Sequence, residues 1–289
     1  MANTITLKRR IGSIKNTRQI TKAMELVSSS KLRRAQRHAQ ASRAYREATY
    51  ELLARLSTVQ EVEQHPLFRR RNVKNRLYVV ITSSTGLAGA YNSNILRLLT
   101  QSIAKDRRDN VKSSAITIGS KGVQFVRRLQ EVELVAHYPS FGDEPTENDI
   151  LPILNMLVDA YRNESVDEVC LLYTVFQSSI TQVATNLQLL PAQIDNDEAE
   201  KPNPLMNFEP DVETVIDQVA ARLIQAQIWQ ALLESLASEH AMRALAMKNA
   251  TDNANELIED YTLEYNTARQ GAITQELAEI TGGAEALNG

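Results

Sequence analysis

Apolar positions along the chain fall into three regimes, a helical one at each end and an alternating one between them. Residues 5 to about 58 contain no proline and a single glycine, Gly12. Apolar or small side chains recur there at helical spacing: Leu7, Ile11 and Ile14, then Met24 and Val27, then Tyr45, Ala48, Leu52 and Leu56. The middle of this stretch is polar, so its apolar stripe is thin. The pattern predicts one long helix that needs a surface to lean on.

The C-terminal pattern is stronger. After Pro210 no proline recurs, and no glycine until Gly271. Alternating steps of four and three from Val212 pass through Leu223, Leu233, Ala237, Ala244, Ala254, Ile258, Tyr261, Tyr265 and Ala268 to Ala272. Gln230, His240 and Thr251 alone break the apolar or small character of that seam. A heptad repeat this long argues for a coiled coil. A helix of about 75 residues would be roughly 110 Å long at ~1.5 Å per residue, so much of it is expected to protrude.

Between the helices, short apolar runs alternate with helical patterns. Leu77–Ile81, Ser114–Ile118, Val132–Tyr138, Val169–Phe176 and Gln182–Leu190 read as strands. Helices are expected around Asn94–Lys105, after Gly119-Ser120-Lys121-Gly122, and over Ile150–Arg162. This alternation predicts a mostly parallel α/β sheet. The segment from Pro191 to Pro210 holds four prolines and a cluster of acids, which suits a linker. The expected division is an N-terminal coiled-coil helix over 1–60, an α/β (Rossmann-like) domain over 75–193, a linker over 194–210 and a C-terminal coiled-coil helix over 211–287.

Charge sharpens the pairing of the ends. Twelve basic residues lie between Lys8 and Arg46, interrupted only by Glu25. From Glu209 to Leu287, fourteen acids face Arg222, Arg243, Lys248 and Arg269. The ends are electrostatic complements, which weakens two other readings of the basic N-terminus, a mitochondrial presequence and a nucleic-acid-binding helix. No run approaches the roughly 18 to 20 apolar residues of a membrane span. Cys170 is the only cysteine, which excludes an internal disulfide, and its apolar run marks it as a small buried hydrophobe.

Candidate chemistry is thin. Thr85-Gly86-Leu87-Ala88-Gly89-Ala90-Tyr91-Asn92 follows a strand and precedes a helix, where nucleotide folds hold phosphate, but it carries neither glycine-rich phosphate fingerprint. A tight turn explains both glycines without a ligand. Gly119-Ser120-Lys121-Gly122 fails on the same spacing. The histidines His38, His65, His137 and His240 belong to different elements, and no nucleophile-and-base pair or metal cluster is visible. Catalytic, cofactor-binding and metal-binding residues are therefore expected to be absent.

Two segments are more specific. Ile14-Lys15-Asn16-Thr17-Arg18-Gln19-Ile20-Thr21-Lys22-Ala23-Met24-Glu25-Leu26-Val27 resembles the N-terminal signature of F-type ATP synthase gamma subunits. Residues Tyr265 to Ile280, reading YNTARQGAITQELAEI, resemble their C-terminal signature. Met247–Ala254 and Ile118–Gly122 match further blocks in the same order, so the resemblance spans essentially the whole chain. The turn after the first strand departs from the family's usual Asp-Arg-Gly-Leu-Cys-Gly, reading Ser84-Thr85-Gly86-Leu87-Ala88-Gly89 here. The dithiol insertion of chloroplast relatives has no counterpart, and no presequence is expected ahead of a signature that starts this early.

The resemblance implies a non-catalytic rotor shaft. Its terminal helices would form an antiparallel coiled coil inside a hexamer of alpha and beta subunits, with the α/β domain at the foot beside epsilon and the membrane c-ring. The implied partners include no nucleic acid, and the implied location is the cytoplasmic face of the bacterial plasma membrane. Residues matching family positions that couple to alpha and beta are Met24, Arg243, Arg269, Gln270, Thr274 and Glu276. Ile273, Leu277, Ile280 and Leu287 would form an apolar bearing at the tip, with Met24 facing an acidic loop of beta. Two rivals are a dinucleotide-dependent enzyme with helical arms and a coiled-coil nucleic-acid tether.

Overall fold

The computed structural model describes residues 2–56, 65–142, 145–192 and 212–288, with side chains over 4–40, 65–142, 145–192 and 214–284. The expected linker over 194–210 lies outside the described residues. In chain order the elements are helix α1 (Ala2–Leu56), strand β1 (Asn75–Ile81), α2 (Tyr91–Arg108), β2 (Lys112–Ile118), α3 (Ser120–Val126) and β3 (Val132–Tyr138). A 3₁₀ turn (Glu147–Ile150), α4 (Leu151–Arg162), β4 (Glu168–Phe176), β5 (Gln182–Leu190) and α5 (Val212–Asn288) follow. The chain divides into two compact units, one of Met1–Ser28 with Ala244–Gly289 and one of Ser29–Arg243.

The larger unit is built on a five-stranded sheet of order β3-β2-β1-β4-β5. β1 pairs in parallel with β2 and β4, β2 in parallel with β3, and β5 returns antiparallel to β4. The inner strands β1, β2 and β4 have runs buried on both faces because both faces are covered there, whereas the edge strands β3 and β5 are partly exposed. Leu77, Val79, Ile81, Ile116, Ile118, Val169 and Leu171 enter one core with Ile153 and Leu157 of α4 and Ile224, Ile228 and Leu232 of α5. Tyr78, Val80, Ala115, Cys170 and Leu172 alternate to the opposite face, against Ile95 and Leu99 of α2 and Val126 of α3. The period-2 alternation of a pleated strand divides each run between two cores. Cys170 is buried as expected, and burial, with Glu168 beside it, pushes its thiol far above the ordinary range.

At the amino end of β1 the sheet holds a buried ion network that periodicity does not reveal. The Asp106 carboxylate, fully buried, accepts from Arg76 and from the hydroxyls of Tyr78 at 2.7 Å and Ser113 at 2.8 Å. Arg76 Nη2 also donates to Glu168 at 2.9 Å. These donors satisfy a charge that burial alone would make costly.

In the smaller unit α1 and α5 run antiparallel. Thr21 Oγ1 and Thr251 Oγ1 lie 2.8 Å apart, Arg18 donates to Asn255 Oδ1 at 3.2 Å, and the Arg10 guanidinium sits 5.9 Å from the Tyr261 ring centre. The less exposed residues of α5 here are Thr251, Ala254, Ile258, Tyr261, Tyr265, Ala268 and Ala272, with Asn255 beside them, which follows the heptad spacing. On α1 the covered positions are Leu7, Ile11, Ile14, Arg18, Thr21, Met24, Glu25 and Ser28. Val27, assigned to the stripe by spacing, is 54% exposed. From Ile14 the seam continues through Met24 and mostly polar side chains, because hydroxyls that pair across it can occupy a buried position.

Candidate functional site

In open α/β sheets ligands bind beyond the carboxyl ends of the strands, where the strand order reverses. Here that point lies between β1 and β4, and residues 232–243 of α5 fill it. Ser235 Oγ accepts from the Thr174 amide at 3.1 Å, and Ser238 Oγ donates to the Thr174 carbonyl at 3.2 Å. A cavity of about 20 Å³ lies beside that point at the ends of β1 and β2, lined by Ile81, Thr82, Tyr91, Ile118, Leu232 and Glu239 among others, with room for about one water. Burial, reinforced by the Glu239 carboxylate, pushes the Tyr91 hydroxyl far above its ordinary range.

The two glycine-bearing turns at these strand ends are explained by backbone geometry. Gly119 has φ 92°, and a Cβ there would stand 2.1 Å from the Thr82 carbonyl oxygen. Its loop meets the β1 turn through Lys121 N to Ser83 O at 3.1 Å and Gly122 N to Thr82 Oγ1 at 2.9 Å. In the β1 turn, Gly89 has φ 54° but Leu87 also takes φ 60°, and a Cβ at Gly86 would meet nothing within 4 Å. Backbone geometry thus favours glycine at Gly89 and gives no such reason at Gly86, contrary to the expectation for both.

The far end of α5 has the opposite character. Ile273 is 49% exposed, Leu277 58% and Ile280 67%, while Ala284 is also exposed on the same helix face. Arg269, Gln270, Thr274 and Glu276 are exposed beside them, with Thr274 Oγ1 donating to the Gln270 carbonyl at 2.9 Å. Leu287 lies on the helix, with its side chain outside the described residues.

A family model described as ATP synthase matches residues 3–287. The chain is 39% identical over 289 residues to the ATP synthase gamma chain of Acidithiobacillus ferrooxidans, covering 99% of this chain and 100% of that one. It is 40% identical over 288 residues to the gamma chain of Stenotrophomonas maltophilia, again at 99% and 100% coverage. The chain belongs to the ATP synthase gamma chain family. In fold it is similar to a chain of the Euglena gracilis mitochondrial ATP synthase, at TM-score 0.71 and 18% identity, over 99% of this chain and 95% of that one. A chain of the Tetrahymena thermophila mitochondrial ATP synthase central stalk and c-ring is similar at TM-score 0.64 and 24% identity, over 80% and 99%. The two paired terminal helices and the inserted sheet are the fold of that family.

The residues expected to couple this gamma-family chain to partners do not form one cluster. Arg269, Gln270, Thr274 and Glu276 share the terminal stretch of α5 with the apolar stripe. Met24 is half-buried on α1, one turn past Thr21. Since Thr21 pairs with Thr251, Met24 stands level with about Met247, some 26 residues and so roughly 40 Å along α5 from Ile273. Arg243 is 7% exposed, and its guanidinium is held by its own chain. Nη2 donates to Thr85 Oγ1 and Glu239 Oε1, each at 2.8 Å, and Nε and Nη2 reach the Gly86 carbonyl at 3.4 Å. Sequence reasoning missed Ser235, Ser238 and Glu239, and it singled out Thr85 only as part of a candidate phosphate turn. The one legible signal was Glu239 and Arg243, oppositely charged at i and i+4 of the heptad helix.

Proposed function

We propose that this chain is the central-stalk rotor subunit of an F-type ATP synthase, non-catalytic itself, which couples ion-driven rotation of a membrane ring to conformational change in the catalytic sites of beta subunits. The observation that carries the reading is likeness to ATP synthase gamma chains from end to end, both signatures included. Its partners are the alpha, beta and epsilon subunits and the c-ring. The coiled coil of 1–60 with 211–287 is the shaft, 75–193 the foot, and 194–210 the linker. No helix among the described residues is long and apolar enough to cross a membrane. By its likeness to ATP synthase gamma chains, the chain sits peripherally, at the cytoplasmic face of the bacterial plasma membrane.

Two features support the division of roles. The strand-end crevice that would serve an enzyme of this fold is filled by α5, which favours a shaft over a dinucleotide-dependent enzyme. The exposed stripe of Ile273, Leu277 and Ile280, continued by Leu287, suits an apolar sleeve in which a shaft turns without a preferred stop. Arg269, Gln270, Thr274 and Glu276 make and release polar contacts with alpha and beta during rotation, and Met24 slides past an acidic loop of beta. Arg243, expected in the same set, reaches a partner only by leaving Thr85 and Glu239.

The deciding experiment mixes the purified chain with alpha and beta subunits. It is expected to co-purify with them and to raise their ATPase rate, while hydrolysing no ATP alone. Turnover by the isolated chain, or failure to assemble with alpha and beta, overturns the rotor reading.

A further inference from the structure

The turn after β1 is tied to its own chain neighbours at its base and to the C-terminal helix at its tip. At the base, Asn92 accepts from the Ser83 amide at 3.0 Å and donates to Ser83 Oγ at 2.7 Å, and the Thr85 carbonyl accepts from Ser83 Oγ at 2.6 Å. Beyond these bonds the chain runs through Gly86, with no neighbour for a Cβ, and Leu87, a non-glycine residue in the left-handed region and 63% exposed. The two acceptors of that tip, Thr85 Oγ1 and the Gly86 carbonyl, are both engaged by the Arg243 guanidinium of α5. Glu239, one helical turn earlier, holds the same guanidinium at 2.8 Å, and both side chains are about nine-tenths buried. Charge-assisted bonds of a planar guanidinium are directional, so they fix orientation as well as distance.

We propose that Thr85, Gly86, Glu239 and Arg243 form a latch that clamps the β1 turn to the C-terminal helix. With the Thr174–Ser235 and Thr174–Ser238 bonds on the neighbouring strand, it makes the sheet and residues 232–243 of α5 one stiff body. Thr85 is the determinant of the latch. Its small hydroxyl leaves room for the guanidinium, whereas an arginine at this place would set two like charges against each other. Resting on the rotor reading, the latch is the point where torque entering the sheet reaches the shaft helix, and Arg243 is a positioning residue rather than a partner contact.

Hydrogen exchange on the full-length chain tests the latch independently of any partner. Thr85→Val keeps the shape and removes the acceptor, and Arg243→Lys keeps the charge and removes the fork. Each is expected to speed exchange at the amides of 86–90 by about tenfold, as loss of a charge-assisted bond would, while the β1 amides stay as protected as before. Thr85→Arg is expected to do the same. Unchanged exchange at 86–90 in both Thr85→Val and Arg243→Lys overturns the latch. In the enzyme assembled with alpha, beta and the membrane sector, Thr85→Val is expected to lose ion pumping per ATP hydrolysed while retaining hydrolysis. Faster exchange with undiminished pumping would overturn the torque role alone. Failure of the wild-type chain to stimulate alpha and beta would overturn the rotor reading, with the latch still decided by exchange.

Discussion

Two stretches of the same helix carry the same heptad spacing and live in different surroundings. From Leu223 to Ala241 nearly every side chain of α5 is buried, Gln225, Gln227, Gln230 and His240 among them. From Thr251 to Ala272 only every third or fourth is covered, and the remainder is exposed. The first stretch faces a sheet through Ser235 and Ser238 and α1 through Ala237 and Ala241, which pack on Leu32 and Ala35. The second has only α1 to lean on. A heptad seam states which residues need covering and is silent on whether the rest are covered too.

The comparison can be broken by substitution, starting where the effect should be largest. Leu223→Ala empties a fully enclosed position and is expected to cost about 4 kcal/mol, whereas Ile258→Ala on the half-buried seam should cost about 1 kcal/mol. Chemical denaturation of both variants checks this, and equal losses would erase the distinction between the stretches.

Charge should follow the same order. Arg243→Met strands a buried Glu239 and is expected to cost about 3 kcal/mol. Lys22→Met, which removes the ion pair of the exposed Lys22 with the half-buried Glu25, should cost under about 1 kcal/mol. Thermal melts read the contrast directly. A larger loss for Lys22→Met would invert the assignment of buried and exposed sides.

Within the two-helix stretch, the Thr21–Thr251 pair should carry register. A double-mutant cycle with Thr21→Val and Thr251→Val is expected to give a coupling of about 0.5 to 1.5 kcal/mol. Each hydroxyl keeps a backbone acceptor, Arg18 O for Thr21 and Met247 O for Thr251, so single variants should remain folded. Zero coupling would mean that the contact adds nothing to the pairing.

The smallest stability effect belongs to the terminal stretch. Arg269→Ala with Gln270→Ala should shift stability by less than about 0.5 kcal/mol, since both side chains are exposed. The same variant assembled with alpha and beta should turn over more slowly. Slower turnover with unchanged melting marks these side chains as coupling groups, and wild-type turnover would mark them as solvated surface.

Much of the fold was legible in the residues. Val132–Tyr138 and Gln182–Leu190 emerged at the expected bounds, and the other strands began one or two residues before theirs, because frayed strand ends carry weaker apolar patterns. The candidate site was less legible. Ile273, Leu277 and Ile280 stand out as an exposed stripe at regular steps, which spacing alone can place. Spacing assigned Met24 and Val27 to the covered stripe of α1, and only Met24 is covered, because its neighbours on that side are Thr21, Glu25 and Ser28, polar residues that carry no periodic signal.

By itself the sequence determined the two helices, the mostly parallel sheet and the family, because each depends on local spacing or on signatures contiguous in the chain. Only the tertiary structure decided that residues 232–243 of α5 fill the crevice at the ends of β1 and β4. It also decided that Arg243 closes on Thr85, 158 positions away in the chain. No local pattern encodes such a pair. Its bonds exist only once the sheet has set the β1 turn beside the helix, and burial then makes a single missing partner costly.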